Sequence, residues 1–380
     1  MGSFPGGAGR WVRLVTAGDG TEGRKLEDTD VATDYRRPRR ATMILALALV
    51  TATASCQGTR TATPPAPHPG LGSPTAVSGS PAPLGSAPAD PASVHANELG
   101  AVPVLMYHQV LPKPAGDYDQ TPAQFRDQLE QLYQHGFWTV TAADLVAGNV
   151  DVPAGKSPMV LTFDDSTRSQ YAEGPGGAVA PTCAVGILLD VARRHGDPRP
   201  VATFYVNGAP FGGHPEYLGK LAALGMELGD HTLDHANLRQ LDPSGVQREL
   251  ALGLTVITGE VPGARVTTMA LPYGVFPHDH ALAVRGSAGA TAYDFAAVLL
   301  VGSNPAPSPF TASFDPLGVP RIRSGSHRGD QAFTASYWLP RLFDGRITRF
   351  VSDGDPTRIS FPRALAGRLL ARFAARGRAY

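Results

Sequence analysis

Downstream of residue 96 the chain alternates short apolar runs with amphipathic segments, the rhythm of βα units wound around a parallel sheet or barrel. The runs Val102–Tyr107, Met159–Phe163, Val201–Val206, Met226–Gly229, Val266–Leu271 and Ala297–Val301 each span four to six residues and predict strands. Between the first two, Thr121 and Pro122 supply an N-cap and a first helical residue. Phe125, Leu129, Leu132 and Tyr133 then share one face at i, i+4, i+7 and i+8, and Gly136 ends the helix. Further helices are predicted at Ala184–Arg194, Pro215–Leu224 and Pro243–Ile257. No self-similarity recurs at a period of about 20–50 residues, so solenoids and propellers are excluded.

The N-terminal quarter follows a different pattern. Residues 1–35 carry mixed charge with little apolar periodicity. Arg36, Arg37, Arg39 and Arg40 then precede an uncharged run from Ala41 to Gln57 whose core, Met43 to Val50, is strongly apolar. A positive stretch followed by an apolar run too short for a transmembrane span of about 20 residues reads as a secretory signal. The run closes on Thr53-Ala54-Ser55-Cys56, which resembles a bacterial lipobox with Thr53 in place of the usual Leu. The expectation is lipidation of Cys56 and a lipoprotein on the extracellular face of the cell envelope, with plain secretion or an uncleaved signal anchor as alternatives. Between Thr61 and His95 there are nine prolines and one charged residue, Asp90. Such a stretch cannot bury enough apolar area to offset its own ordering. The chain therefore divides into a leader at 1–56, a disordered Pro/Ala/Ser/Gly tether at 57–96 and one folded domain at 97–380.

Charge and cysteine content narrow the function. Lys+Arg and Asp+Glu both number 33, so the electrostatic footprint of a nucleic-acid binder is missing. The two cysteines, Cys56 and Cys183, build neither a disulfide framework nor a Cys-x-x-Cys metal knuckle. Candidate chemistry sits at strand ends instead. The strand Met159–Phe163 runs into Asp164-Asp165, and Met226–Gly229 runs into Asp230-His231-Thr232-Leu233-Asp234-His235. If the turn after the second strand is helical, His231 and His235 lie one turn apart and face the same way. One Asp with two His is a donor set that leaves positions open on a hydrolytic metal. A third strand end supplies Leu271-Pro272-Tyr273-Gly274, where the proline fixes the chain and the Tyr273 N–H is a candidate oxyanion donor.

The order and spacing of Leu161-Thr162-Phe163-Asp164-Asp165, Gly229-Asp230-His231-Thr232-Leu233-Asp234-His235 and Leu271-Pro272-Tyr273-Gly274 resemble the three main motifs of the polysaccharide deacetylases, carbohydrate esterase family 4 with the NodB-homology domain. The resemblance covers about residues 101–275. It implies an α/β fold, a distorted (β/α) barrel, with Asp164 as general base and Asp165, His231 and His235 as ligands of a divalent metal. Zinc is the default for that set, and cobalt, nickel or manganese suit similar ligands. The opening strand, Val102-Pro103-Val104-Leu105-Met106-Tyr107-His108, looks like the branch acting on poly-N-acetylglucosamine, which implies His108 as general acid. Pro272 and Tyr273 fall at substrate-binding positions. Two departures stand out. Ala270 occupies the place of an arginine that orients the base, with Arg321 or Arg323 as substitutes, and Ser166 replaces the usual glycine after Asp-Asp, opening a long segment to Val201. The implied activity is metal-dependent hydrolysis of N-acetyl groups on a surface polysaccharide by a monomer. A glycan-binding lipoprotein without turnover and an O-acetyl esterase on a polymer such as acetylxylan are the competing readings.

Overall fold

The computed structural model describes residues 88–302, 304–325 and 331–380. The leader, Cys56 and the tether up to residue 87 lie outside the described residues. Among the described residues no helix is long and apolar enough to cross a membrane.

The chain runs β1 (Val104–Tyr107), α1 (Pro122–Gln134), β2 (Phe137–Val140), α2 (Ala142–Ala147), β3 (Ser157–Phe163), α3 (Ala184–Arg194), β4 (Thr203–Val206), α4 (Tyr217–Ala223), β5 (Glu227–Asp230), α5 (Pro243–Glu260) and β6 (Thr268–Ala270). A hairpin of β7 (Arg285–Ala288) and β8 (Thr291–Asp294) follows, then β9 (Ala297–Leu299), β10 (Ile322–Arg323), α6 (Ala335–Phe343) and a terminal pair, β11 (Ile359–Phe361) and β12 (Gly377–Ala379). The main sheet has the order β10-β1-β3-β4-β5-β6-β9, all parallel, with β2 paired to β3. Its two ends meet. Leu299 forms a parallel bridge with Val319, just ahead of β10, and the Val319 N–H donates to the Val298 carbonyl at 3.0 Å. The ladder is thus a distorted barrel rather than an open sheet, with helices on its outside.

Alternation along the strands sets what faces in and what faces out. Met159, Leu161 and Phe163 of β3 pack outward with the helices, as do Leu105 and Tyr107 of β1 and Phe204 and Val206 of β4. An aromatic series crosses this outer layer: Tyr107 and Phe163 stack at 5.2 Å, Phe163 and Phe204 at 5.0 Å, and Phe125 of α1 meets Tyr107 edge-on at 5.0 Å. The opposite parity, Val104, Val160, Tyr205, Ala270 and Leu299, forms the inner cluster. Gly229 belongs to the inner face as well, and a Cβ there would collide with the Tyr205 ring.

The sequence expectations for strands and helices hold in place, with shifted ends. β1 starts at Val104 because Val102 is diverted into an antiparallel bridge with Ala306. Helix α3 spans the residues expected of it, whereas α5 continues three residues past Ile257 to Glu260. The unit β2-α2 was not anticipated, since a four-residue strand and a six-residue helix directly behind Gly136 carry too little periodicity to register. Packed chain also begins ahead of Asn97. Ala96 is buried, its N–H donates to Pro91, and the Ala89 N–H donates to the Asp353 carbonyl at 2.9 Å.

The two ends of the domain are joined through a buried polar cluster. Glu98 accepts from the Ser360 N–H at 3.0 Å and the Ser352 hydroxyl at 3.1 Å, and the neighbouring Asp353 carboxylate accepts from the Ser360 hydroxyl at 2.5 Å. Burial, reinforced by the Asp353 charge, pushes the Glu98 carboxyl up to about 8. The folded state therefore holds a proton that the unfolded chain releases near its ordinary value of 4.5. Stability should fall as pH rises between those two values and level off above them. Glu98→Gln imitates the neutral acid, so its melting temperature, followed by calorimetry from pH 5 to pH 8, should vary less with pH than that of the wild type and equal or exceed it at the upper end.

Candidate active site

Asp164 directly follows β3 and keeps the parity of Val160 and Thr162, so its side chain enters the barrel mouth. It is 2% exposed. A buried carboxylate needs a partner, and Arg321 provides one through two parallel bonds, Nη1 to Oδ1 and Nη2 to Oδ2, each 2.7 Å. Arg321 is itself fully buried, donates from Nη1 to the Thr162 hydroxyl at 3.1 Å and from Nε to the Leu300 carbonyl at 2.6 Å, and lies over the Tyr205 ring. Burial alone would raise the Asp164 carboxyl. The Arg321 guanidinium outweighs it and holds the group well below the usual carboxylate range. Of the two substitutes for the missing arginine at Ala270, the structure selects Arg321. Arg323 lies instead on the cavity wall, over the Tyr118 ring at 5.5 Å.

Asp165 is turned the other way. Its φ of 71° and that of Ser166, 42°, are left-handed, and they carry the Asp165 carboxylate toward the histidines. Asp165 Oδ1 lies 3.5 Å from His231 Nε2 and 3.5 Å from His235 Nε2. The three ligand atoms all fall within 4.8 Å of one another. Donors on a tetrahedral ion at about 2.0–2.1 Å stand roughly 3.3–3.4 Å apart, and the two Asp165–histidine spacings match that edge, so the set is a candidate site for a divalent metal. The tautomer suits it too. His231 Nδ1 lies 2.8 Å from the Ala270 carbonyl and donates to it, which leaves the Nε2 lone pair facing Asp165. Burial lowers the His231 pKa despite the neighbouring carboxylates, keeping the ring neutral.

The expected helical turn between the two histidines is absent. Residues 231–235 form a loop in which Thr232 and His235 have φ of 66° and 51°. The loop is held from behind. Asp230 Oδ1 accepts from the Thr232 N–H at 2.7 Å, the Glu249 carbonyl accepts from Leu233 at 3.0 Å, and Glu249 Oε2 accepts from the Asp234 N–H at 2.9 Å. Asp230 has the outward parity of Leu228 and packs on α5, where Gly253 leaves room for its carboxylate. The histidines thus converge through local backbone geometry rather than through helical spacing.

His108 follows β1 on the inner parity and lines the same cavity as Asp164. Its ring stacks on Tyr118 at 4.8 Å, and its buried Nδ1 has no hydrogen-bond partner among the described residues. Pro272 is buried at the end of β6, while Tyr273, with φ of 61°, is 60% exposed and meets His235 edge-on at 4.7 Å. The left-handed turn leaves the Tyr273 N–H without a backbone acceptor among the described residues. Together these groups border a cavity of about 330 Å³. One residue had no signal in the sequence: Gln170, in the long segment after Ser166, donates from Nε2 to the carbonyls of both His108 and Asp164 and so ties two of the strand ends together.

A family model described as polysaccharide deacetylase matches residues 151–293. The matched segment contains Asp164, Asp165, His231, His235 and Tyr273 but neither His108 nor Arg321. A chitooligosaccharide deacetylase of Bradyrhizobium is 32% identical over 139 residues, which is 37% of this chain and 56% of the relative. The chain spans about half the length of the curated relatives it matches, 56% and 51% for the first two. Among solved structures, the Streptococcus pyogenes deacetylase PplD aligns with a TM-score of 0.46 at 17% identity over 63% of this chain and 97% of that one. IcaB from Ammonifex degensii aligns with a TM-score of 0.43 at 21% identity over 63% and 97%.

Removing the guanidinium should isolate its contribution. Arg321→Met leaves a buried carboxylate without its counter-charge, a loss of about 3–5 kcal/mol for pairs of this kind. Chemical denaturation of that variant should show it. Adding Asp164→Asn to Arg321→Met should restore a large part of the stability, because the uncompensated charge is gone.

Proposed function

We propose that the protein is a metal-dependent deacetylase that hydrolyses N-acetyl groups on an N-acetylglucosamine-containing polysaccharide at the bacterial cell surface. The observation that carries this reading is one cavity holding an ionised carboxylate, Asp164 on Arg321, beside the separate donor set of Asp165, His231 and His235. The deacetylases matched by the segment supply the substrate class. A divalent ion held by Asp165, His231 and His235, with zinc as the default, would supply Lewis acidity that polarises the acetyl carbonyl and makes water more acidic.

The protein's own groups divide the remaining work. Asp164 accepts a proton from the attacking water as the C–O bond forms, on a lone pair that the Arg321 fork leaves free, and the fork fixes the plane of the carboxylate. The Tyr273 N–H lies at the cavity edge, where it supports negative charge on the acetyl oxygen. As the C–N bond breaks, His108 donates a proton to the departing amine, and acetate and a glucosamine residue result. Its stacking on Tyr118 fixes the ring plane for that transfer. The binding-only alternative draws on Ala270 and on the lack of a clear late Leu-x-His motif. Arg321 on Asp164 weakens the first of these grounds.

The roles within the Asp-Asp pair separate experimentally. Asp164→Asn should retain bound metal by elemental analysis while acetate release from N-acetylglucosamine oligomers falls by roughly 10²–10⁴-fold. Asp165→Asn, and His231→Ala with His235→Ala, should lose the metal itself. Unchanged metal and unchanged acetate release in all three would overturn the proposal, and release from acetylxylan alone would redirect it to an O-acetyl esterase.

The cell-surface location rests on the leader sequence. In the native host, Cys56→Ser should abolish incorporation of labelled fatty acid and shift the protein from the membrane fraction to the medium. Equal labelling of wild type and variant would exclude the lipid anchor.

A further inference from the structure

The C-terminal segment carries a charge pattern that hydrolysis does not use. From Pro356 to Tyr380 there are arginines at 358, 363, 368, 372, 376 and 378 and no acidic residue, although the chain as a whole is neutral. Arg358 is paired with Asp355, and Arg376 turns inward onto the carbonyls of Pro356 and Gly148. Arg363, Arg368 and Arg372 are exposed and form no ion pair among the described residues. This segment packs beside the barrel end opposite Asp164, where Leu370 donates to the Phe310 carbonyl.

A cavity of about 700 Å³ opens there, at the N-terminal ends of the strands. Arg372 and Phe373 form one side, Arg265 and Thr267 ahead of β6 another, and Asn149 and Phe314 complete the wall. Arg265 is exposed and, like Arg372, forms no ion pair among the described residues, and the Arg372 guanidinium lies over the Phe373 ring at 4.8 Å. The acid on the wall, Asp144, has its carboxylate engaged by the Thr141 hydroxyl at 2.6 Å.

We propose that this cavity is a binding site for an acidic polysaccharide, a stretch of glycan chain carrying carboxylates. Guanidinium forks match carboxylates in a bidentate way. Asn149 and Thr267 on the wall suit the hydroxyls of sugar rings, and Phe314 offers apolar surface beside them. The volume lies within the range of organic-ligand pockets, about 300–1,000 Å³, and is far larger than one inorganic anion. A flat bilayer would meet the exposed arginines but leave the cavity empty. The site is separate from the catalytic one, so its failure would leave the deacetylase reading intact.

Titration of the full chain with fluorescently labelled tetragalacturonate should show saturable binding that weakens as salt rises from about 50 to about 200 mM. Arg265→Gln with Arg372→Gln should weaken it by at least about tenfold, with acetate release from N-acetylglucosamine oligomers unchanged. Arg363→Gln with Arg368→Gln, which removes the same charge outside the cavity, should have a smaller effect. Wild-type affinity in the first variant overturns the proposal, as do equal losses in both, which would mean diffuse charge. Binding of only inorganic phosphate or phosphatidylglycerol vesicles overturns it as well.

Discussion

A charged carboxylate enclosed by protein on nearly every side is tenable only beside a matching charge, and the pair of Asp164 with Arg321 meets that constraint inside a barrel lined otherwise by Val, Ala, Leu and Tyr. The guanidinium fork sets the plane of the carboxylate, and bonds to Thr162 and Leu300 set the fork. The position of the Asp164 carboxylate therefore derives from the barrel wall and not from the loop that follows β3. Asp165, one residue on, is freed from that frame by a left-handed backbone and is turned toward the histidines. Two adjacent carboxylates with opposite orientations thus face different partners, Arg321 for Asp164 and the two histidines for Asp165.

Strand parity extends the same logic around the mouth. Residues that leave β1, β3 and β5 on the inner parity, His108, Asp164 and His231, reach the cavity, whereas Asp230 on the outer parity is directed into α5. A one-residue slip in any of these strands would exchange a functional group for a core residue. Glu249 and Gln170 act behind this arrangement by satisfying backbone groups of loops that have no regular structure to satisfy them. The cost of the left-handed residues at Thr232 and His235 is offset by those bonds.

The sequence made the barrel and the cluster legible for physical reasons. Buried parallel strands are short apolar runs, and chemistry gathers where they end, so Asp164, Asp165, His231, His235 and Tyr273 were identifiable by place, whereas His108 came from the resemblance of its strand to a family branch. The path between the histidines was not, because local hydrogen bonds from Asp230 and Glu249 override the spacing argument for a helix. Arg321 was visible as one of two candidates, and only the closing of the barrel by β10, a two-residue strand, decides between them. Gln170 and the unit β2-α2 carried no pattern, since single long-range hydrogen bonds and four-residue strands leave no periodicity behind.

The Asp164–Arg321 pair joins positions 157 residues apart, and Tyr380 donates its hydroxyl to the Ala96 carbonyl. During synthesis the amino-terminal strands emerge long before the arginine that neutralises their carboxylate. Contacts of such long sequence separation form late and slowly. A nascent or truncated chain consequently has a half-built mouth with an unbalanced charge, which favours an open, solvated state. The charge balance of the barrel mouth thus waits on Arg321, and a chain that stops before it is expected to be less stable there.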